Sequence, residues 1–479
     1  MCDHKRNRGW HTVRAFLASW LLLQAGTPPE NLAAAPPPKL KVRGYLTARV
    51  DDTTVAILDD QIHCTSAKIV AHDSSGDRPI TGGELATGML VEAEGSWTGH
   101  HQFTAERVTV DAGLLEKQIH YAAYLQEEPK DAERIKNGAP AELKVDGEWL
   151  LVDPKTKRSW AAPAPAVVNA NDTSGGKTPD AAADSASPGN LAGYRVEYHG
   201  TRLADGKISA EKVALGAPAD AYKMPHGLEV VRAKDPQTGI DILEFRRGKK
   251  VDGRMKLFPD KTVQTYVSDL GDSLLPAGTK GTTKALEFRF FVIEDSSINA
   301  AALPDGTILV NTALLGAIEN ESQLAFILSH EISHVLQVHY WREVHETRQQ
   351  RIGLLVAGIA AGAFIGDLGV FMAELGMISV INGHQRELEN QADRLGLQNV
   401  IEHGYDPRPA PGFMRIIIER YGIRSTSKLW SNHDSALLRG SFLTVQLMKQ
   451  YPDHHFDGAR VNTAAFDSMH DALGPVRIE

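Results

Sequence analysis

The sequence predicts a multidomain chain: small all-β domains fill the N-terminal part, and a mainly helical α+β domain follows from about residue 255. Three observations carry this. Between 40 and 215, short alternating apolar runs are separated by Gly, Asp and Asn, the rhythm of strands and turns. Within that stretch a strand–turn–strand pattern occurs twice at a fixed offset. Beyond 255, apolar residues recur at helical spacing. A length of 479 residues with 42% apolar side chains suits two to four cored domains of about 100–200 residues each. The net charge of -9, with no sustained basic stripe, excludes a dedicated nucleic-acid binder.

Residues 1–35 read as a signal peptide. Lys5, Arg6, Arg8 and Arg14 precede a short apolar run over 15–23, and small residues follow at Ala25 and at Ala33, Ala34 and Ala35, where cleavage would fall. The run is shorter than the roughly 20 residues a membrane span needs. The rest of the chain is therefore expected outside the cytoplasm, periplasmic or secreted, and anchored to the membrane only if the signal stays uncleaved. Cys2 precedes the apolar run, so it is not a lipoprotein cysteine. Cys64 then stands alone, which excludes a disulfide framework.

The β-domains are expected over 40–115 and 116–218. Residues 91–110 align without a gap on 196–215 at an offset of 105, with Val91, Glu92, Gly95, Ala105, Glu106 and Val108 repeated as Val196, Glu197, Gly200, Ala210, Glu211 and Val213. Each copy reads as a hairpin in a small barrel or sandwich. The strand rhythm resembles the small OB-like domains that decorate many secreted bacterial proteins. Residues 161–190 are rich in Ala, Pro, Asp, Ser and Gly with almost nothing bulky, which predicts a disordered insertion in the second copy.

In the domain at 255–479, residues 262–270 have helical spacing, and 288–293 and 306–310 read as strands. Residues 322–339 read as one helix, with Leu324, Ile327, Leu328, Ile332, Val335 and Leu336 on its apolar face. The strand at 307–311 is expected to offer an exposed edge to which an extended substrate adds. Residues 352–382 are apolar, but Asp367 and Glu374 interrupt them. A buried or substrate-facing helix pair fits better than a span, because charge at mid-bilayer is costly. Any membrane association is thus expected to be peripheral.

The chemistry lies in His330-Glu331-Ile332-Ser333-His334. On a helix, positions four apart share a face, so His330 and His334 can hold one zinc ion while Glu331 faces the water it activates. The alternative is a surface helix with two solvated histidines. A catalytic zinc needs a third protein ligand. Glu389 suits it, with Asp393 one turn on to accept a hydrogen bond from the outer nitrogen of His330. Glu387 is the alternative third ligand, and an ordinary exposed carboxylate is the plainer reading of Glu389.

Residues 288–440 resemble the gluzincin metallopeptidases of the HtpX, Oma and prenyl-protease type. The resemblance runs through Asn299 to Gly306, where Asp305 replaces a Gly, then Leu324 to His334. It continues through Glu389 to Gly396, where Gln391 replaces a Glu, and ends at Gly404-Tyr405-Asp406-Pro407. It implies a zincin-type domain binding one zinc ion through His330, His334 and Glu389, with Glu331 as general base. It also implies peptide-bond hydrolysis in misfolded or misassembled envelope proteins. Many secreted relatives carry Thr-His-Pro with Arg six residues after the His. Here His433 and Arg439 keep that spacing and the Pro is lost. His433 then stabilises the oxyanion, latches the open metal position, or makes no metal contact. His339 reads as structural. Two other classes are a chaperone-like assembly factor that binds unfolded envelope proteins, and a glycan-binding protein led by the β-domains.

Overall fold

The computed structural model describes residues 40–73, 76–111, 118–124, 138, 140–145, 148–160, 195–203, 207–215, 222–276, 286–341, 383–421, 436–452 and 455–478. The expected signal peptide at 1–35, the expected insertion at 161–190, the apolar segment 352–382 and His433 lie outside the described residues. Contacts divide the chain after Leu40, and Lys41–Glu479 form one unit. No helix among the described residues is long and apolar enough to cross a membrane.

The first sheet contains β1 (Leu40–Tyr45), β2 (Ala48–Arg49), β3 (Thr54–Ile57), β4 (Asp60–His63), β5 (Lys68–Asp73), β6 (Gly76–Pro79), β7 (Leu90–Gly99) and β8 (Gln102–Asp111). The second contains β9 (Gln118–Tyr124), β10 (Ala141–Val145), β11 (Glu148–Val152), β12 (Lys157–Trp160), β13 (Arg195–Arg202) and β14 (Ile208–Leu215). The repeated sequence forms the hairpins β7–β8 and β13–β14. Their surroundings repeat too. The order β1-β7-β8-β4-β3 in one sheet matches β9-β13-β14-β11-β10 in the other. On its second edge β8 pairs in parallel first with β4 and then with β5, as β14 does with β11 and β12. The registers coincide as well. Phe103 faces Ile62 and Arg107 faces Lys68, while Ile208 faces Leu150 and Lys212 faces Lys157. Inward residues at every second position, such as Val91, Ala93, Phe103 and Val108, and Val196, Tyr198, Ile208 and Val213, build the two cores.

One repeated glycine has a steric cause. Both hairpins slip register at the same place, between Glu94 and Gly95 and between His199 and Gly200. A Cβ on Gly95 would sit 2.0 Å from the carbonyl oxygen of Thr104, and one on Gly200 2.4 Å from that of Ser209.

A third sheet lies where the sequence suggested no element. The strands β15 (Leu228–Lys234), β16 (Asp241–Arg247) and β17 (Lys250–Lys256) form an antiparallel meander. It covers one face of the next sheet, β18 (Arg289–Ile293), β19 (Ala300–Ala302) and β20 (Thr307–Asn311), through Val230, Leu243, Phe245, Ile293 and Leu309. The other face, with Phe290, Val292, Ile308 and Val310, packs on the helices. The helical domain's core therefore reaches back before residue 255. The sheet order β18-β20-β19 also corrects the expected edge. Strand β20 is central and buried throughout, paired on both sides. The outer side of β18 is taken by Gln264, whose amide donates to Val292 O at 2.7 Å and accepts from Val292 N at 3.1 Å. Among the described strands, β19 forms the remaining edge.

The helices are α1 (Lys261–Ser273), α2 (Thr312–Ala317), α3 (Glu321–Leu336), α4 (Gly383–Glu402), α5 (Pro409–Tyr421), α6 (Ala436–Gln450) and α7 (Ala464–Leu473). Asp260 caps α1 by accepting from Val263 N, and Asn320 caps α3 by accepting from Gln323 N. The start of α3 is also held by the C-terminal segment: Glu321 N donates to Asn462 Oδ1 at 2.8 Å, and Ser322 N to Val461 O at 3.0 Å. Tyr405 of the Gly-Tyr-Asp-Pro motif donates its hydroxyl to Glu321 at 2.7 Å. The replacement Asp305 is likewise structural, accepting from Thr307 N and pairing with Arg289.

Helix α6 also meets the first β-domain. Leu438, Phe442 and Val445 cluster with Tyr45 and Leu90, and Ser441 Oγ accepts from Tyr45 N at 2.9 Å.

Gly95→Ala and Gly200→Ala are each expected to lower stability by about 1–3 kcal/mol, the usual cost of forced overpacking. Denaturant unfolding of each single variant checks this, with comparable losses expected at the two positions.

Candidate active site

Helix α3 stands at the centre of the helical core, with Leu324, Ile327, Leu328 and Ile332 fully buried. That burial fixes which way its polar residues point. His330 and His334, one turn apart, face α4 and meet Glu389 there. The metal-ligating atoms of these three residues all lie within 4.8 Å of one another. His330 Nε2 and His334 Nε2 are 3.0 Å apart, and the Glu389 carboxylate spans them, with Oε2 3.5 Å from the first and Oε1 3.4 Å from the second. Four ligands at tetrahedral zinc distances of about 2.0–2.2 Å would stand about 3.3 Å from each other. The donor set and its spacing therefore fit zinc. Glu387, the alternative ligand, has no described side chain.

The helices approach closely because α4 presents Gly396 to α3. A Cβ there would lie 3.1 Å from His330 N and 3.2 Å from its Cα, tighter than ordinary side-chain contact. The glycine closing the Glu389–Gly396 motif is thus a packing requirement for bringing Glu389 to the histidines.

Behind the ligands lies Asp393, fully buried, whose Oδ1 accepts from His330 Nδ1 at 3.0 Å. That bond puts the ring proton on Nδ1 and leaves Nε2 as the metal-facing lone pair. Arg439, from α6, donates to both Asp393 oxygens at 2.9 and 2.6 Å and lies 3.5 Å from Glu389. The sequence flagged Arg439 only by its spacing from His433. Its contact with Asp393, 46 residues away, leaves no local signal.

These charges set the protonation states. Burial and the Arg439 guanidinium push the His330 imidazole down, but the hydrogen bonds to Asp393 and Glu389 outweigh them, and its pKa rises to about 9. Burial pushes Asp393 up. Arg439 more than reverses this, holding the carboxyl below the usual carboxylate range.

The expected helix over 322–339 is interrupted. Helix α3 ends at Leu336, and Val338 takes a left-handed φ of 52°. The chain turns back, so His339 Nδ1 comes 2.9 Å from His334 Nδ1. His339 Nε2 is 3.0 Å from Gln391 Oε1, and Gln391 Nε2 is 3.3 Å from Gln337 Oε1. Glu331, next to His330 in α3, is buried.

A helix pair thus offers two imidazoles and a carboxylate to one point, backed by a buried aspartate, a donor set that could hold a metal ion. Residues 262–453 match Peptidase family M48, so the chain carries a domain of that family. It is 31% identical over 176 residues to the beta-barrel assembly-enhancing protease of Yersinia pestis, covering 34% of each protein. To that of Escherichia coli K12 it is 30% identical over 188 residues, covering 37% of each. To the mitochondrial metalloendopeptidase OMA1 of Arabidopsis thaliana it is 25% identical over 137 residues, 27% of this chain and 25% of the relative. The chain thus spans about a third or less of the length of these relatives.

Two outcomes follow. Arg439→Met leaves the Asp393 carboxylate buried without its guanidinium. It should cost about 3–5 kcal/mol in chelator-treated protein, read by denaturant unfolding. Because the metal-free pKa of His330 lies above its ordinary 6.5, the stability from its charge is complete below about 6.5 and lost as pH rises through about 9. Zinc competes for the same nitrogen, so its affinity should rise with pH up to about 9. Calorimetry at neutral pH in two buffers of different ionisation enthalpy should register release of about one proton per zinc.

Proposed function

We propose that this chain is an extracytoplasmic zinc-dependent endopeptidase acting on misfolded or misassembled envelope proteins. The reading rests above all on the convergence of His330, His334 and Glu389, which can each turn one ligand atom to a common point, all within 4.8 Å of one another. The names of the bacterial relatives support the envelope substrate class. The basic residues before a short apolar run at the N-terminus, read as a signal peptide, support a periplasmic or secreted location.

In this reading His330, His334 and Glu389 hold the zinc and Asp393 orients His330. Zinc would supply the Lewis acidity that acidifies a water and polarises the scissile carbonyl. Glu331 accepts the proton from that water and returns it to the departing amine. The substrate adds as a strand to β19, which packs against α3 and so brings the scissile bond alongside the histidines. His433, outside the described residues, would guard the open metal position or stabilise the oxyanion, the alternative being that it makes no metal contact. The β-domains 40–115 and 116–218, the latter with its insertion, are accessory to the peptidase domain.

Glu331→Gln is expected to bind one zinc per chain as wild type does and to lose casein cleavage by at least about a hundredfold, within the contribution of a positioned general base. Full cleavage by that variant would sink the assignment. Zinc binding without cleavage in the wild type would favour the chaperone-like reading instead.

A further inference from the structure

The pair His339 and Gln391 is unexplained by the reaction. Both are buried, and both lie behind His334 on the side away from Glu389. We propose that they form a positioning relay that fixes the tautomer and ring orientation of His334, as Asp393 does for His330. The proposal rests on the reading of His330, His334 and Glu389 as metal ligands.

Each step follows from hydrogen-bonding capacity. His334 Nε2 faces His330 Nε2 at 3.0 Å and Glu389 Oε1 at 3.4 Å, so it is the metal-facing nitrogen and carries the lone pair. The ring proton then sits on Nδ1. It points at His339 Nδ1, 2.9 Å away, which must accept it. The proton of His339 is thereby placed on Nε2, 3.0 Å from Gln391 Oε1. With that oxygen engaged, the Gln391 amide turns its Nε2 to donate to Gln337 Oε1 at 3.3 Å. Only one set of donors and acceptors satisfies all three contacts, and it leaves His334 as a neutral ligand.

The backbone points the same way. In an uninterrupted helix a residue five positions after His334 stands about 140° away around the axis. The stop at Leu336 and the left-handed Val338 bring His339 back onto His334. A β-branched residue rarely adopts that conformation, and here the turn is held in place by the contact it makes. The sequence departure at Gln391 fits as well. A carboxylate there could accept from His339 but could not donate to Gln337, whereas the amide does both.

The test uses the full-length protein and measures zinc affinity by competition with a chromophoric chelator, with the visible spectrum of the cobalt-substituted protein as a second readout. His339→Phe keeps the ring volume and removes the acceptor. It is expected to weaken zinc binding about 10–100-fold, the usual effect of removing a partner behind a ligand, and to shift the cobalt spectrum. His339→Asn, whose side-chain oxygen stands near the position of Nδ1, should recover most of the affinity. A merely structural residue would lower the unfolding midpoint without moving either readout in the folded fraction. If the phenylalanine variant does not fold, Gln391→Leu carries the test: it removes the acceptor of the His339 proton together with the donor to Gln337 and leaves both histidines in place. Wild-type zinc affinity and an unshifted spectrum in the folded variant overturn the relay. A wild-type protein that binds no zinc overturns the metal-site reading instead.

Discussion

An ionised carboxylate withdrawn from water costs several kcal/mol unless its neighbours replace the lost hydration. Asp393 is fully withdrawn, and its neighbours are the ring nitrogen of His330 and two nitrogens of Arg439. These groups come from α3, α4 and α6, segments far apart in the chain. Satisfying one buried charge therefore fixes how three helices stand against each other. The same arrangement orients His330 Nε2 and holds Glu389 one turn away. The convergence of His330 and Glu389 is a by-product of neutralising what lies behind them.

The remaining architecture keeps that arrangement rigid. The meander and α1 enclose the sheet from both faces, and Gln264 closes the outer side of β18. The start of α3 is tied down by Tyr405, Val461 and Asn462, residues that follow α4 in the chain. Helix α3 is thus fixed at its beginning by the C-terminal segment and near its end by the polar contacts of His334 and His339. Little of it is free to shift when the charge between its histidines changes.

Much of this was legible in the sequence because it is local or periodic. The spacing of His330 and His334, and of Glu389 and Asp393, is a helical turn, and the structure brings all four together. The hairpins were legible because a repeat preserves its bulge glycine, Gly95 or Gly200, for the same steric reason. What escaped was non-local. Strand β20 has the apolar run of an edge or a centre alike, and only its neighbours β18 and β19 decide. The meander at 228–256 has one face in the helical domain's core, so its register became meaningful only beside Ile293 and Leu309. The turn at Val338 contradicts the propensity of a β-branched residue, and no pattern announces it. Arg439 pairs across 46 residues with Asp393, and its burial follows from tertiary packing alone.

Helix α6 belongs to two bodies at once. Leu438, Phe442 and Val445 lie under the first β-domain, while Arg439, about 100° around the same turn, reaches the carboxylates. A chain shortened to its helical part would expose that apolar stripe to solvent and loosen the helix that delivers the guanidinium. The smallest self-sufficient folded body around the His330–Glu389 cluster thus extends beyond the stretch that matches the peptidase family and takes in strands more than 150 residues upstream of it, at Tyr45 and Leu90.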